Sequence, residues 1–253
     1  MLKNASSMDW NAKRSADLYQ VDRWGNGYFS VESNGHLHVC PTQDPSVKVD
    51  LTKILDEAAQ RGCEAPVLIR FPQIAQQRLS EIQSAFATSI QKCSFQGQYT
   101  CVYPIKVNQH LSVVEAMLRN PNTVCGVADA GAHVGIICDA SSPTTLLTHW
   151  ARDRTRGETL PLEWLVHKQT QATARTYQLH DRGVLAPGKR ADINVIDFDN
   201  LMLHKPRVVH DLPAGGRRIV QSASGYKHTF VLGMEVSCEG EFTGARPGRL
   251  IRS

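Results

Sequence analysis

The chain has 253 residues, 42% hydrophobic and 21% charged, with a net charge of +4. That is the balance of a globular protein with room for one large domain or two small ones, and its scattered Lys and Arg residues leave no nucleic-acid footprint. Seven cysteines without CxxC spacing argue against a disulfide framework or a structural zinc site, and no apolar leader or membrane-length run is visible, so the expected setting is the cytoplasm.

Residues up to about Ala16 read as polar and loose. Tyr28-Phe29-Ser30-Val31 and His36-Leu37-His38-Val39 flank Asn34-Gly35, a strong hairpin signal. Asp50 then caps an amphipathic stretch (Leu51, Ile54, Leu55, Ala58) that stops at Gly62, which predicts a helix. Pro66 to Phe71 reads as a short buried strand, and Ile74, Leu79, Ile82, Phe86 and Ile90 predict a helix from Ile74 to Lys92. Tyr99 to Val107 follows as a strand, and strand, helix, strand is how an α/β barrel begins.

Lys106 falls at the end of that strand, where barrel active sites lie. A lysine there could form a Schiff base if its surroundings lower its pKa, or it could be a surface lysine past a strand. His36 and His38 have the H-x-H spacing of metal-dependent amidohydrolases and would share one strand face, but two half-exposed strand histidines are the simpler account.

Further on, Ser112 and Glu115 fit a capping box for a short helix to Arg119, stopped by Asn120-Pro121. Thr123 to Val127 is a strand candidate leading to Asp129 and a glycine-bearing loop. A carboxylate there could act as general base on a metal-bound water and then as acid toward a leaving amine, or could simply cap turn N–H groups. His133 and Asp139 could orient such a site, and loop packing explains both equally well. Pro161 starts a predicted helix to Leu179; strands are expected at Ile193 to Phe198, Val208-Val209, Arg218 to Val220 and Thr229 to Val231, with Gly233 turning toward Glu235-Val236-Ser237. Pro247 to Leu250 reads as a polar tail.

Three stretches carry a resemblance: Asp22-Arg23-Trp24-Gly25-Asn26-Gly27-Tyr28-Phe29-Ser30, Leu68-Ile69-Arg70-Phe71-Pro72 and Val102-Tyr103-Pro104-Ile105-Lys106-Val107-Asn108-Gln109. In order and spacing, residues 17 to 118 closely resemble the N-terminal region of biosynthetic arginine decarboxylases. The resemblance implies an alanine-racemase-like barrel and pyridoxal phosphate (PLP) carried as an internal aldimine on Lys106, with arginine as the small-molecule substrate.

Gly126-Val127-Ala128-Asp129-Ala130-Gly131-Ala132-His133-Val134-Gly135, Leu147-Thr148-His149-Trp150, Arg182-Gly183-Val184-Leu185-Ala186-Pro187-Gly188 and Asp211-Leu212-Pro213-Ala214-Gly215-Gly216 carry a second one. From about Asn120 to Arg252 the chain resembles the C-terminal part of the N-acyl-D-amino-acid deacylases, within the amidohydrolase superfamily. That resemblance implies a zinc enzyme acting on N-acyl-D-amino acids, with Asp129 as proton shuttle and a small β-rich end domain. The zinc ligands proper belong to earlier strands, so no metal ligand is assigned.

The expectation is an α/β chain of two incomplete (β/α)8-barrel fragments, residues 1–119 and 120–253, joined between about Ser112 and Asn122. The N-terminal hairpin flanks one fragment and the small β domain the other. Neither carries its family's full set of catalytic groups, which leaves three alternatives: a deacylase-type hydrolase, a PLP-dependent decarboxylase module, or a non-catalytic fusion. Either enzyme would take a small-molecule substrate, with neither nucleic acid nor membrane as partner, and an oligomer supplying the missing strands would complete it.

Overall fold

The computed structural model describes residues 10–126, 129–131 and 134–251 of a mixed α/β chain, so His133, Val127 and Ala128 lie outside the described residues. The chain divides into two compact units: Met1–Tyr99 with Leu111–Ala116, and Thr100–His110 with Met117–Ser253.

The first unit begins with α1 (Ala12–Tyr19), where a loose segment was expected; the Asn11 side chain accepts from the Arg14 N–H and starts the helix. A left-handed Gln20 ends it and leads into α2 (Val21–Gly25). The expected hairpin forms as β1 (Phe29–Val31) and β2 (Leu37–Val39), and β3 (Val49–Asp50) adds an antiparallel third strand. Gly35, at φ +81°, supplies the positive dihedral that the tight turn needs. Asp50 accepts from the Thr52 N–H and caps α3 (Leu51–Gln60), and Gly62 follows it at φ +82°. The long helix α4 (Pro72–Lys92) starts two residues earlier than periodicity alone suggests, because Pro72 suits a first helical turn.

The strand expected at Pro66 to Phe71 does not form. Leu68 is 75% exposed, so the apolar run has neither a buried face nor a ladder partner to make it a strand.

In the second unit, β4 (Cys101–Pro104) pairs in parallel with β5 (Thr123–Gly126), with Cys101 opposite Thr123 and Tyr103 opposite Cys125. The connecting helix α5 (Leu111–Arg119) is N-capped by His110, not by Ser112, which lies inside it. Asn108 explains the early start: its side chain accepts from the His110 N–H at 3.0 Å and sets the entry turn.

Next come α6 (Ser142–Thr145), running on as a π-helical stretch over Leu146–Asp153, and α7 (Leu162–His167). The single helix expected to Leu179 is interrupted by a second π-helical stretch, Lys168–Ala172, before α8 (Thr173–Thr176) closes it.

The remainder is β-rich: β6 (Ile193–Ile196), β7 (Met202–Leu203), β8 (Arg207–Leu212), β9 (Gly216–Val220), β10 (Ala223–Ser224), β11 (Tyr226–Val231), β12 (Met234–Cys238) and β13 (Glu241–Phe242). Four of these form an antiparallel sheet in the order β13-β12-β11-β6, while β7 pairs with β10 and β8 with β9. Leu118, Leu165 and Leu201 are at most 1% exposed and anchor the interior of this unit. Burying such side chains contributes on the order of 2 kcal/mol each. Among the described residues no helix is long and apolar enough to cross a membrane.

Candidate functional site

The two residues singled out in the sequence meet. A parallel pair brings the C-terminal ends of both strands to one edge. Lys106 follows β4 and Asp129 follows β5, so the register that aligns Pro104 with Gly126 delivers both to that edge. Lys106 Nζ donates to Asp129 Oδ2 at 2.5 Å, with the side chains 41% and 32% exposed.

Local bonds hold each partner. On the lysine side, the Val107 N–H donates to the Pro104 carbonyl at 3.0 Å, and Tyr103 Oη donates to the Asn108 carbonyl at 2.9 Å. These two bonds fold the segment from Pro104 to Asn108 back on the strand end. On the aspartate side, the Asp139 N–H donates to the Asp129 carbonyl at 2.9 Å and closes the loop between them. Asp139 thus touches the site through its backbone.

At the other, N-terminal end of β5 lies a buried lysine that was passed over in the sequence. Lys168 is 6% exposed, and its Nζ donates to the carbonyls of Asn120 and Thr123, the latter at 2.6 Å, while stacking 5.0 Å over the Trp164 ring. Trp164 Nε1 in turn donates to the Leu118 carbonyl at 2.8 Å. Burial pushes Lys168 below the usual lysine range, partly countered by Cys125. Burial likewise pushes the Cys125 thiol up to about 11 against the pull of Lys168, which makes it an inert packing group. A lone Lys inside a helix pattern carries no signal for such a role, because its acceptors lie 45 and 48 residues upstream.

The H-x-H pair is structural. His36 Nδ1 lies 2.8 Å from Asp50 Oδ2 and His38 Nε2 lies 3.8 Å from the same oxygen, so both turn onto the cap of α3.

Neither family-implied group fits the edge as it stands. Three His, Cys, Asp or Glu donors converge in one place among the described residues, at His228, Glu235 and Cys238, and Asp129 is not among them. Among the described residues, zinc at Asp129 therefore has no ligand set. PLP would need Lys106 Nζ free to meet a carbonyl carbon, and that nitrogen is engaged by Asp129.

With this geometry in place, comparison with known proteins gives two results. The family model described as "Amidohydrolase family" matches residues 80–236, beginning inside α4 and ending within β12. The chain is also similar to biosynthetic arginine decarboxylases. That of Rhodopirellula baltica is 36% identical over 143 residues, covering 51% of this chain and 21% of the relative. That of Pseudomonas putida is 34% identical over 148 residues (57% and 23%), and that of Xanthomonas axonopodis pv. citri 43% identical over 105 residues (42% and 17%). The chain thus spans about a fifth of the length of these curated relatives.

Proposed function

This chain belongs to the amidohydrolase family, and from that premise we propose that it joins two cut barrel scaffolds at one strand edge. The first, up to about residue 119, is of the arginine-decarboxylase type and contributes Lys106. The second, from about Asn120, is of the D-aminoacylase type, whose substrate class is the N-acyl-D-amino acid, and contributes Asp129 at the proton-shuttle position. The observation that carries the proposal is the 2.5 Å contact between them. Each residue of the pair is the other's partner, and among the described residues neither has a metal-ligand set or a second acid–base group beside it, so in this chain they serve as an ion pair at the C-terminal edge of β4 and β5 and turn over neither substrate.

Chemically, the reading gives Asp129 a defined capacity and a defined obstacle. A carboxylate within hydrogen-bond reach of a group can accept its proton. Here the group within reach is Lys106, and no third residue on the described edge is placed to carry the proton onward to an amide. The similarity to the decarboxylases supports the origin of Lys106. A small-molecule substrate and a cytoplasmic setting are part of the same proposal.

The test uses the 253-residue chain in two assays. One follows hydrolysis of N-acetyl-D-amino acids with zinc added; the other follows arginine decarboxylation with PLP added, then borohydride reduction and peptide mapping. The expected result is no turnover in either assay and no label on Lys106. Hydrolysis that Asp129→Asn abolishes would restore the deacylase reading. Label confined to Lys106 would restore the PLP reading, which the position of Lys106 at a strand's C-terminal end favours as the second choice.

A further inference from the structure

We propose that His228, Glu235 and Cys238 form a divalent-metal site on the hairpin of β11 and β12, of the soft, zinc-type class. One nitrogen, one oxygen and one sulfur donor lie within 4.8 Å of one another. His228 Nδ1 is 2.6 Å from Glu235 Oε1. Imidazole, carboxylate and thiolate together are the donor set that zinc and cobalt(II) accept, with a fourth position left for water.

The site is built by a defect in the sheet. Leu232 and Gly233 both have positive φ, +53° and +76°, and form a two-residue turn that sets Val231 opposite Met234 and Phe230 opposite Glu235. An unbroken ladder would then place Ser237 opposite His228. Instead the register shifts between Thr229 and Phe230, so that Thr229 faces Ser237 and His228 faces Cys238. Val236 is the extra residue, and its carbonyl accepts from the Thr243 N–H at 3.0 Å. Residues three apart on a strand ordinarily point to opposite faces. The bulge turns Glu235 onto the face of Cys238, beside His228, which is the re-aiming that such bulges perform. Glu241, the ladder partner of Cys238 on β13, continues the same row with another carboxylate.

The site has no part in the Lys106 and Asp129 pair and stands or falls apart from it. Cobalt(II) chloride titrated into the full chain should give one equivalent of tight binding with a thiolate-to-cobalt charge-transfer absorption, displaced by zinc. Cys238→Ser should remove that absorption, His228→Asn and Glu235→Gln should each weaken binding at least about tenfold, and Cys63→Ser, at an exposed thiol, should change nothing. A measurement without variants guards against misfolding: zinc should slow iodoacetamide labelling of Cys238 relative to Cys63 in the same chain. Equal labelling of Cys238 with and without zinc, or a charge-transfer band that survives in Cys238→Ser, would overturn the site.

Discussion

The parallel pair β4–β5 and the antiparallel sheet β13-β12-β11-β6 place polar side chains together by different means. Two parallel strands cannot stand alone, since their connection must travel through a helix and their faces need covering. Here the cover comes from α7 and the π-helical stretch after it, through Trp164 on the Leu118 carbonyl and Lys168 on the Asn120 and Thr123 carbonyls. The antiparallel sheet needs less help. Three of its strands, β11, β12 and β13, follow one another through tight turns, and its own bulge decides which residues meet. In the first region the meeting of Lys106 and Asp129 depends on strand ends 23 residues apart; in the second, His228 and Cys238 meet across a single hairpin.

The contrast predicts which changes hurt where. Largest are the interior truncations: Leu165→Ala and Leu201→Ala should each cost about 3 kcal/mol in urea denaturation, as fully buried leucines do. A cost below about 1 kcal/mol at either position would show that its side chain is not packed in the interior. Lys168→Ala should cost about 2 kcal/mol by removing the charged donor that the Asn120 and Thr123 carbonyls share. It should also speed hydrogen exchange at β4 and β5 while β11 and β12 hold; uniform acceleration would erase the distinction between the regions.

In the other unit, the hydrogen bond from His36, opposed by burial and joined by the Thr52 N–H, holds the Asp50 carboxyl below the usual carboxylate range. A depressed carboxylate stabilises the fold above its unfolded pKa, about 4. That stabilisation is lost as pH falls through the lower folded value. Asp50→Asn should therefore unfold more easily than the parent at neutral pH, and the gap should close in acid; a gap independent of pH would refute the ionised cap. The smallest effect belongs to the edge itself. A double-mutant cycle on Lys106→Gln and Asp129→Asn should give a coupling below about 1 kcal/mol, since both side chains are partly in water. A coupling well above that would mark the edge as more than a surface ion pair.

Local chemistry was legible in the sequence. Asn34-Gly35 gave the hairpin turn, and Asp50 with Gly62 gave both ends of α3. The Lys106 and Asp129 candidates could be named from strand ends, yet their contact depends on a ladder register that sequence spacing does not carry. Asn11 was readable as a cap in principle, but a polar face hid α1. The run from Pro66 to Phe71 misled because apolar content reports burial only when a partner exists, and Leu68 has none to cover it. The His228, Glu235 and Cys238 group was out of reach, because regular alternation puts Glu235 and Cys238 on opposite faces and only the unpaired Val236 reverses that.

Leu232 is a poor choice for a left-handed turn position, which costs a branched side chain on the order of 1 kcal/mol. Its amide donates to Asp192 Oδ1 at 2.9 Å, and the Gly233 amide donates to the Ala191 carbonyl at 2.9 Å. The bend is thus imposed from a segment forty residues upstream, and Asp192 becomes a remote template for it. Sequence drift at Asp192 would be felt first as a slipped hairpin, well away from the altered codon.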